Sequence, residues 1–160
     1  MTIKAGDRVP NAKLFRIGKE GIEPFDASEY FAGRKVVVFG LPGAFTPTCS
    51  GQHLPGYVDA VEAFKAKGID AIACLSVNDA WVMRAWGREQ GAVGKVDMLG
   101  DGNAELTRAM GLETDMSARG YGIRSRRYAM VVDSGVVRTL AVEEAGAFEV
   151  SSAEKILAKL

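Results

Sequence analysis

The chain is poor in the residues that build metal centres and disulfide scaffolds: its 160 residues hold two cysteines and one histidine. One histidine and two cysteines in unlike surroundings give no ligand pair at a useful spacing, so no metal is expected. Two cysteines also fall far short of the disulfide density of small secreted domains. Net charge is absent too, with Lys plus Arg and Asp plus Glu equal at 20 each. That balance provides no field to recruit nucleic acid or an anionic membrane. Segment 1–7 lacks the apolar core of a signal peptide, and no apolar run approaches a membrane span. There is no internal repeat, low-complexity tract or dividing linker. No phosphate loop is present, because Gly18-Lys19 lacks the required earlier glycine and the Ser or Thr that should follow. These absences leave one soluble domain spanning 1–160, expected in a reducing cytoplasm without cofactor, nucleic-acid or membrane partner.

What is there alternates. Segment 13–17 reads as an early strand, and Asp26 is placed to cap a short helix through Tyr30 and Phe31. The β-branched apolar run 35–40 reads as a buried strand. A mostly helical stretch, 51–67, follows, with Pro55-Gly56 expected to kink or break it. Segment 70–77 is the next strand, with Asn78 and Asp79 offering a cap for a helix through Trp81, Val82, Ala85 and Trp86. A short strand at 96–99 and a short helix at 104–110 come next. Segments 128–132 and 136–142 form a hairpin around Asp133-Ser134-Gly135, and a helix at 153–160 closes the chain. The pattern predicts an α/β fold in which helices cover a central sheet.

The chemistry concentrates at Cys49. It follows the turn Pro42-Gly43-Ala44-Phe45-Thr46-Pro47-Thr48, between the strand at 35–40 and the helix. Proline is tolerated in a first helical turn, and Thr46 is placed as the N-cap. Cys49 would then lie near free backbone N–H groups and the positive end of the helix dipole, and both favour a thiolate. Cys74 sits in an apolar strand and reads as a small buried hydrophobe. His53 lies four residues after Cys49 and can share its helix face. A hydrolase-type Cys–His pair would need a third, orienting group, and none is evident, so His53 reads as a pocket residue that transfers no proton. Arg124, Arg126 and Arg127 cluster at the entry to the strand at 128–132, either as a solvated edge or reaching toward the Cys49 turn. Spacing alone does not decide. Trp81 and Trp86 read as core and pocket wall.

The string from Pro42 to Ser50, followed by His53-Leu54-Pro55-Gly56-Tyr57, closely resembles the active-site segment of peroxiredoxins, and most closely the type-5 subfamily. The hallmark Pro-x-x-x-Thr-x-x-Cys is met by Pro42, Thr46 and Cys49. Further matches at 73–79, Trp86-Gly87 and 127–132 extend the likeness over nearly the whole chain. The resemblance implies a thioredoxin-like fold, with a mixed central β-sheet flanked by helices. It implies a thiol peroxidase in which Cys49 attacks hydrogen peroxide or an alkyl hydroperoxide and becomes a sulfenic acid. It assigns Arg127, the Thr46 hydroxyl and nearby backbone N–H groups to stabilising the breaking O–O bond, and Pro42 to shielding the sulfur. Substrate would be held by Thr46, Cys49, Arg127 and Gly43. Arg124 and Arg126 keep the solvated reading.

One departure matters. Many type-5 relatives carry a resolving cysteine in the loop before the last helix, and Ser151 stands at the equivalent place here. A serine forms no disulfide, and Cys74 is held in its strand. One-cysteine chemistry is therefore expected, with glutathione helped by a glutaredoxin as first choice of reductant and thioredoxin as second. The resemblance also implies a homodimer, with Phe45 near its interface. The alternative function is a redox sensor that uses Cys49 oxidation as a switch and turns over little.

Overall fold

The computed structural model describes residues 1–160. Nine strands and six α-helices are present: β1 Lys13–Gly18, β2 Gly21–Asp26, α1 Ala27–Phe31, β3 Lys35–Leu41, α2 Leu54–Asp59, α3 Val61–Ala66, β4 Ala71–Ser76, α4 Ala80–Glu89, β5 Asp97–Gly100, α5 Glu105–Ala109, β6 Glu113–Asp115, β7 Ile123–Ser125, β8 Tyr128–Asp133, β9 Val136–Val142 and α6 Ala153–Leu157. Seven strands form one sheet in the order β2-β1-β5-β4-β3-β8-β9, and β6 and β7 make a separate small hairpin. Central β3 pairs parallel with β4 and antiparallel with β8, so the sheet is mixed. No helix is long and apolar enough to cross a membrane.

β3 shows why the centre forms. Successive side chains of a strand point to opposite faces, so a strand covered on both sides needs an unbroken apolar run. Val37, Phe39 and Leu41 enter one core with Tyr57, Phe64, Trp86 and Ile156. Val36 and Val38 enter the other with Leu14, Phe31, Leu99 and Met130. Both cysteines lie in the first core. The hairpin β8–β9 turns on Ser134 and Gly135, both at positive φ (48° and 85°), as a tight two-residue turn requires.

Several details differ from the sequence reading. β2 is an additional strand, pairing with β1 through a hairpin whose other edge is free, which is where Pro24 is tolerated. Asp26 sits before α1 but makes no capping bond; its carboxylate accepts from Lys13 Nζ at 2.9 Å instead. The helix after Cys49 does not break at Pro55. Residues 47–59 are continuously helical, with a π-helical turn at Cys49–His53, and the break falls at Ala60. In that wide turn the Leu54 N–H donates to the Cys49 carbonyl, so the hydrogen-bond ladder has already shifted before Pro55, which has no N–H to give. Asp79 caps α4 as expected, accepting from the Val82 N–H at 2.9 Å.

Candidate active site

The site is assembled where β3 ends. Gly40 of β3 lies opposite Tyr128 of β8. A Cβ at Gly40 would stand 2.1 Å from Tyr128 Cε1, so only glycine lets this ring lie across the strand. Arg127, the residue before Tyr128, is thereby carried alongside the turn that leaves β3. Within that turn Phe45 has φ 66°, a conformation a bulky residue adopts only when its surroundings impose it. The turn is tied down from three sides. The Ala44 N–H donates to Asn78 Oδ1 at 3.0 Å, and the Ser76 hydroxyl donates to the same oxygen at 2.6 Å. Arg124 Nη1 donates to the Pro42 carbonyl at 3.0 Å. Trp86 Nε1 donates to Ser50 Oγ at 2.9 Å.

Cys49 opens the π-helical turn and is 0% exposed. Arg127 Nη2 donates to its sulfur at 3.1 Å, and Arg127 Nη1 lies 2.9 Å from His53 Nδ1. A guanidinium has donors only, so Nδ1 must be the acceptor and the ring proton sits on Nε2. That proton is donated to the Ser151 carbonyl at 3.1 Å. Burial first, and the Arg127 charge second, push His53 down to about 3. His53 is therefore neutral with its lone pair occupied, and it is no base for Cys49. The sequence reading of a histidine that transfers no proton agrees with this geometry.

Thr46 stands at the N-cap position, yet its hydroxyl donates to the Gly43 carbonyl at 2.7 Å instead of capping, which leaves its oxygen lone pairs free to accept. A Cβ at Gly43 would lie 2.6 Å from Arg124 Nη1, so the guanidinium that braces Pro42 would have to shift to admit one. Pro42, Thr46 and Arg127 line a cavity of about 770 Å³, together with Met116, Tyr121 and Arg126. The structure thus brings together Pro42, Gly43, Thr46, Cys49, His53 and Arg127. It also corrects the solvated reading of Arg124 and Arg126. Arg124 is half-buried and braces the turn through Pro42, and Arg126 donates to the Glu143 carbonyl at 3.2 Å. Trp86 is fully buried, whereas Trp81 is 46% exposed and belongs to no core.

Cys74 is buried in β4, where burial first and the nearby Cys49 second raise its thiol well above the usual range. Both cysteines are free thiols. No group of three or more His, Cys, Asp or Glu side chains is placed to hold a metal ion. Asn78, Ser50 and Glu143 were not singled out from the sequence as parts of the site. Asn78 was read only as a cap, and the pairings of the other two span distances that no local pattern reports.

The Redoxin family model matches residues 4–157. Peroxiredoxin-2E-2, chloroplastic, of Oryza sativa subsp. japonica is 52% identical over 165 residues, covering 99% of this chain and 73% of the relative. The chain is a peroxiredoxin. The crystal structure of reduced Prx3 in complex with hydrogen peroxide from Vibrio vulnificus is similar at TM-score 0.96 and 54% identity, covering 99% of each chain. Peroxiredoxin 5 from Alvinella pompejana is similar at TM-score 0.87 and 35% identity, covering 98% of this chain and 96% of that one. The expected thioredoxin-like fold, a mixed sheet flanked by helices, is therefore the fold of this peroxiredoxin, and its activity is that of a thiol peroxidase.

Proposed function

We propose that Cys49 is the peroxidatic nucleophile and that an external thiol, glutathione first, regenerates it. The observation that carries this reading is the 3.1 Å contact of Arg127 Nη2 with the Cys49 sulfur. The thiolate attacks the terminal oxygen of the hydroperoxide, an S–O bond forms, and the O–O bond breaks. Sulfur is oxidised by two electrons to a sulfenic acid, and the leaving oxygen departs as water or an alcohol once protonated. Negative charge spreads over both oxygens as that bond breaks, and fixed donors in a water-poor site stabilise it most. Arg127 supplies such donors from its guanidinium, the Thr46 oxygen, its own proton held by the Gly43 carbonyl, can accept from the peroxide O–H, and Pro42 and Gly43 shape the wall beside them.

One-cysteine resolution is supported by Ser151, which stands where type-5 relatives place a second thiol, and by the burial of Cys74. Glutathione attacks the sulfenic sulfur and expels water, giving a mixed disulfide. A second thiol, from glutathione or a glutaredoxin, then attacks the glutathione sulfur of that bridge, forming a new disulfide with it and releasing Cys49 as a thiolate. Cys49 has no exposed surface, so a thiol of this size reaches it only after the turn at Cys49–His53 moves. A homodimer of the type-5 kind fits the half-exposed Phe45 ring just before this turn, and a sedimentation measurement tests it. The reducing cytoplasm remains our assignment for the compartment, testable by locating a tagged full-length protein. Peroxide consumption is to be compared with glutathione plus glutaredoxin and with thioredoxin plus its reductase. Sustained turnover with the first supports the reading; turnover only with the second replaces the reductant. Oxidation of Cys49 without turnover in either would favour the sensor.

A further inference from the structure

Glu143 is a buried carboxylate, 3% exposed, that the peroxide chemistry leaves unexplained. It follows β9, and its own N–H donates to the Arg127 carbonyl at 2.9 Å, so it is rooted beside that arginine. Its carboxylate receives the N–H groups of Glu149, Val150 and Ser151 and the Ser151 hydroxyl, at 2.7–2.9 Å. Burial alone would push its pKa up, yet these donors, led by the Glu149 N–H, outweigh it and hold the carboxyl below the usual range. Taking a charge out of water to hold three consecutive residues of a loop is costly for a loop with no further task.

That loop reaches the active site by two routes. The Ser151 carbonyl accepts from His53 Nε2 at 3.1 Å and from the Tyr57 hydroxyl at 2.8 Å. The Phe148 ring lies 5.1 Å from the His53 ring and 5.8 Å from the Arg127 guanidinium carbon. The faces of His53 are further confined by Phe39 at 4.9 Å and Tyr57 at 5.6 Å. With its faces packed, the ring has its remaining orientation set by two edge contacts, Ser151 on one nitrogen and Arg127 on the other.

We propose that Glu143 is a positioning residue for the peroxide step: it fixes segment 149–151 so that the Ser151 carbonyl holds His53, and His53 holds the Arg127 guanidinium against Cys49. This rests on the reading of Cys49 as the nucleophile. Displacing the Ser151 carbonyl tilts the His53 ring, carries Nδ1 away from Arg127, and frees the guanidinium to leave the sulfur. The hydrogen bonds of the Glu143 carboxylate all go to segment 149–151 and none to the Cys49 sulfur, so its effect passes through His53.

The test is a double-mutant cycle read as the rate of Cys49 oxidation by hydrogen peroxide, with the sulfenic acid trapped by dimedone and measured by mass. Glu143→Gln keeps the size but halves the acceptor oxygens. It should slow oxidation about tenfold, as should His53→Leu, because small misplacements at a reacting centre cost rate steeply. The double variant should be no slower than His53→Leu alone, since both act on one contact. His53→Gln should hold most of the rate, because its amide can accept from Arg127 and donate to Ser151. Losses that multiply to about a hundredfold in the double variant, or full-rate oxidation in Glu143→Gln, overturn the proposal. Should Glu143→Gln fail to fold, Ser151→Ala removes only the hydroxyl donor. It should slow oxidation about threefold in the native background and not at all with His53→Leu, and a slowing that persists there overturns the coupling. If native Cys49 resists hydrogen peroxide altogether, the nucleophile reading fails first and takes this proposal with it.

Discussion

Acidification should destabilise this protein through its one histidine. An unfolded histidine titrates near 6.5, whereas folded His53 is pushed down to about 3 by burial and then by the Arg127 charge. Between those values the unfolded chain binds a proton that the folded chain refuses. The stability contributed by neutral His53 is therefore complete above pH 6.5 and is lost as pH falls from 6.5 toward 3. Each pH unit in that window costs about 1.4 kcal/mol, so going from pH 7 to pH 4 removes about 3 kcal/mol. That is a large share of the roughly 5–15 kcal/mol by which a domain is stable. Other groups titrate in the same range: Glu143, held low, adds to the loss, and Asp101, raised chiefly by burial, opposes it. A glutamine at 53 cancels these shared contributions. Urea unfolding of the native protein and His53→Gln, at pH 7, 6, 5 and 4, should give a native curve that falls more steeply by about 3 kcal/mol. Parallel curves would refute the assignment of a neutral, arginine-bound histidine.

Three further outcomes follow from the same contacts. Arg127→Ala should slow Cys49 oxidation by about a hundredfold or more, and Arg127→Lys should fall between, because an ammonium cannot fork to both the sulfur and His53; rapid-mixing kinetics decides. Cys74→Ser should keep most turnover while losing about 1–3 kcal/mol of stability to a buried hydroxyl, and a variant as inactive as Cys49→Ser would contradict the one-cysteine mechanism. Gly40→Ala should destabilise by about 1–3 kcal/mol or more and lower turnover with it, since the Tyr128 ring that must move adjoins Arg127; thermal melts and peroxide assays check both.

The parts of this molecule that were legible in the sequence are those encoded locally. The run 35–40 announces a central strand because, past Lys35, it is unbroken by any polar residue, as a strand covered on both faces requires. Asp79 and the turn at Ser134-Gly135 are readable because a cap or tight turn depends on a few adjacent residues. β2 escaped notice because an edge strand tolerates Glu23 and Pro24, residues that argue against a strand at the centre of a sheet. The π-helical turn leaves no signature of its own, and Pro55 suggested a break that the shifted ladder makes unnecessary. At the site, Cys49, Thr46, Pro42 and Arg127 came from a motif, whereas the role of Arg124 did not. Its partner, the Pro42 carbonyl, lies 82 residues away in the chain and carries no side-chain signal. Glu143 was invisible for the same reason: its donors are mostly backbone N–H groups, which every residue but proline possesses.

Hydrogen peroxide consumption by native protein and by Cys49→Ser, with glutathione and glutaredoxin as reductant, decides whether Cys49 is the nucleophile. The native protein should consume peroxide steadily and carry a sulfenic acid on Cys49 when the reductant is withheld, and Cys49→Ser should consume none. Consumption that survives in Cys49→Ser would contradict that role.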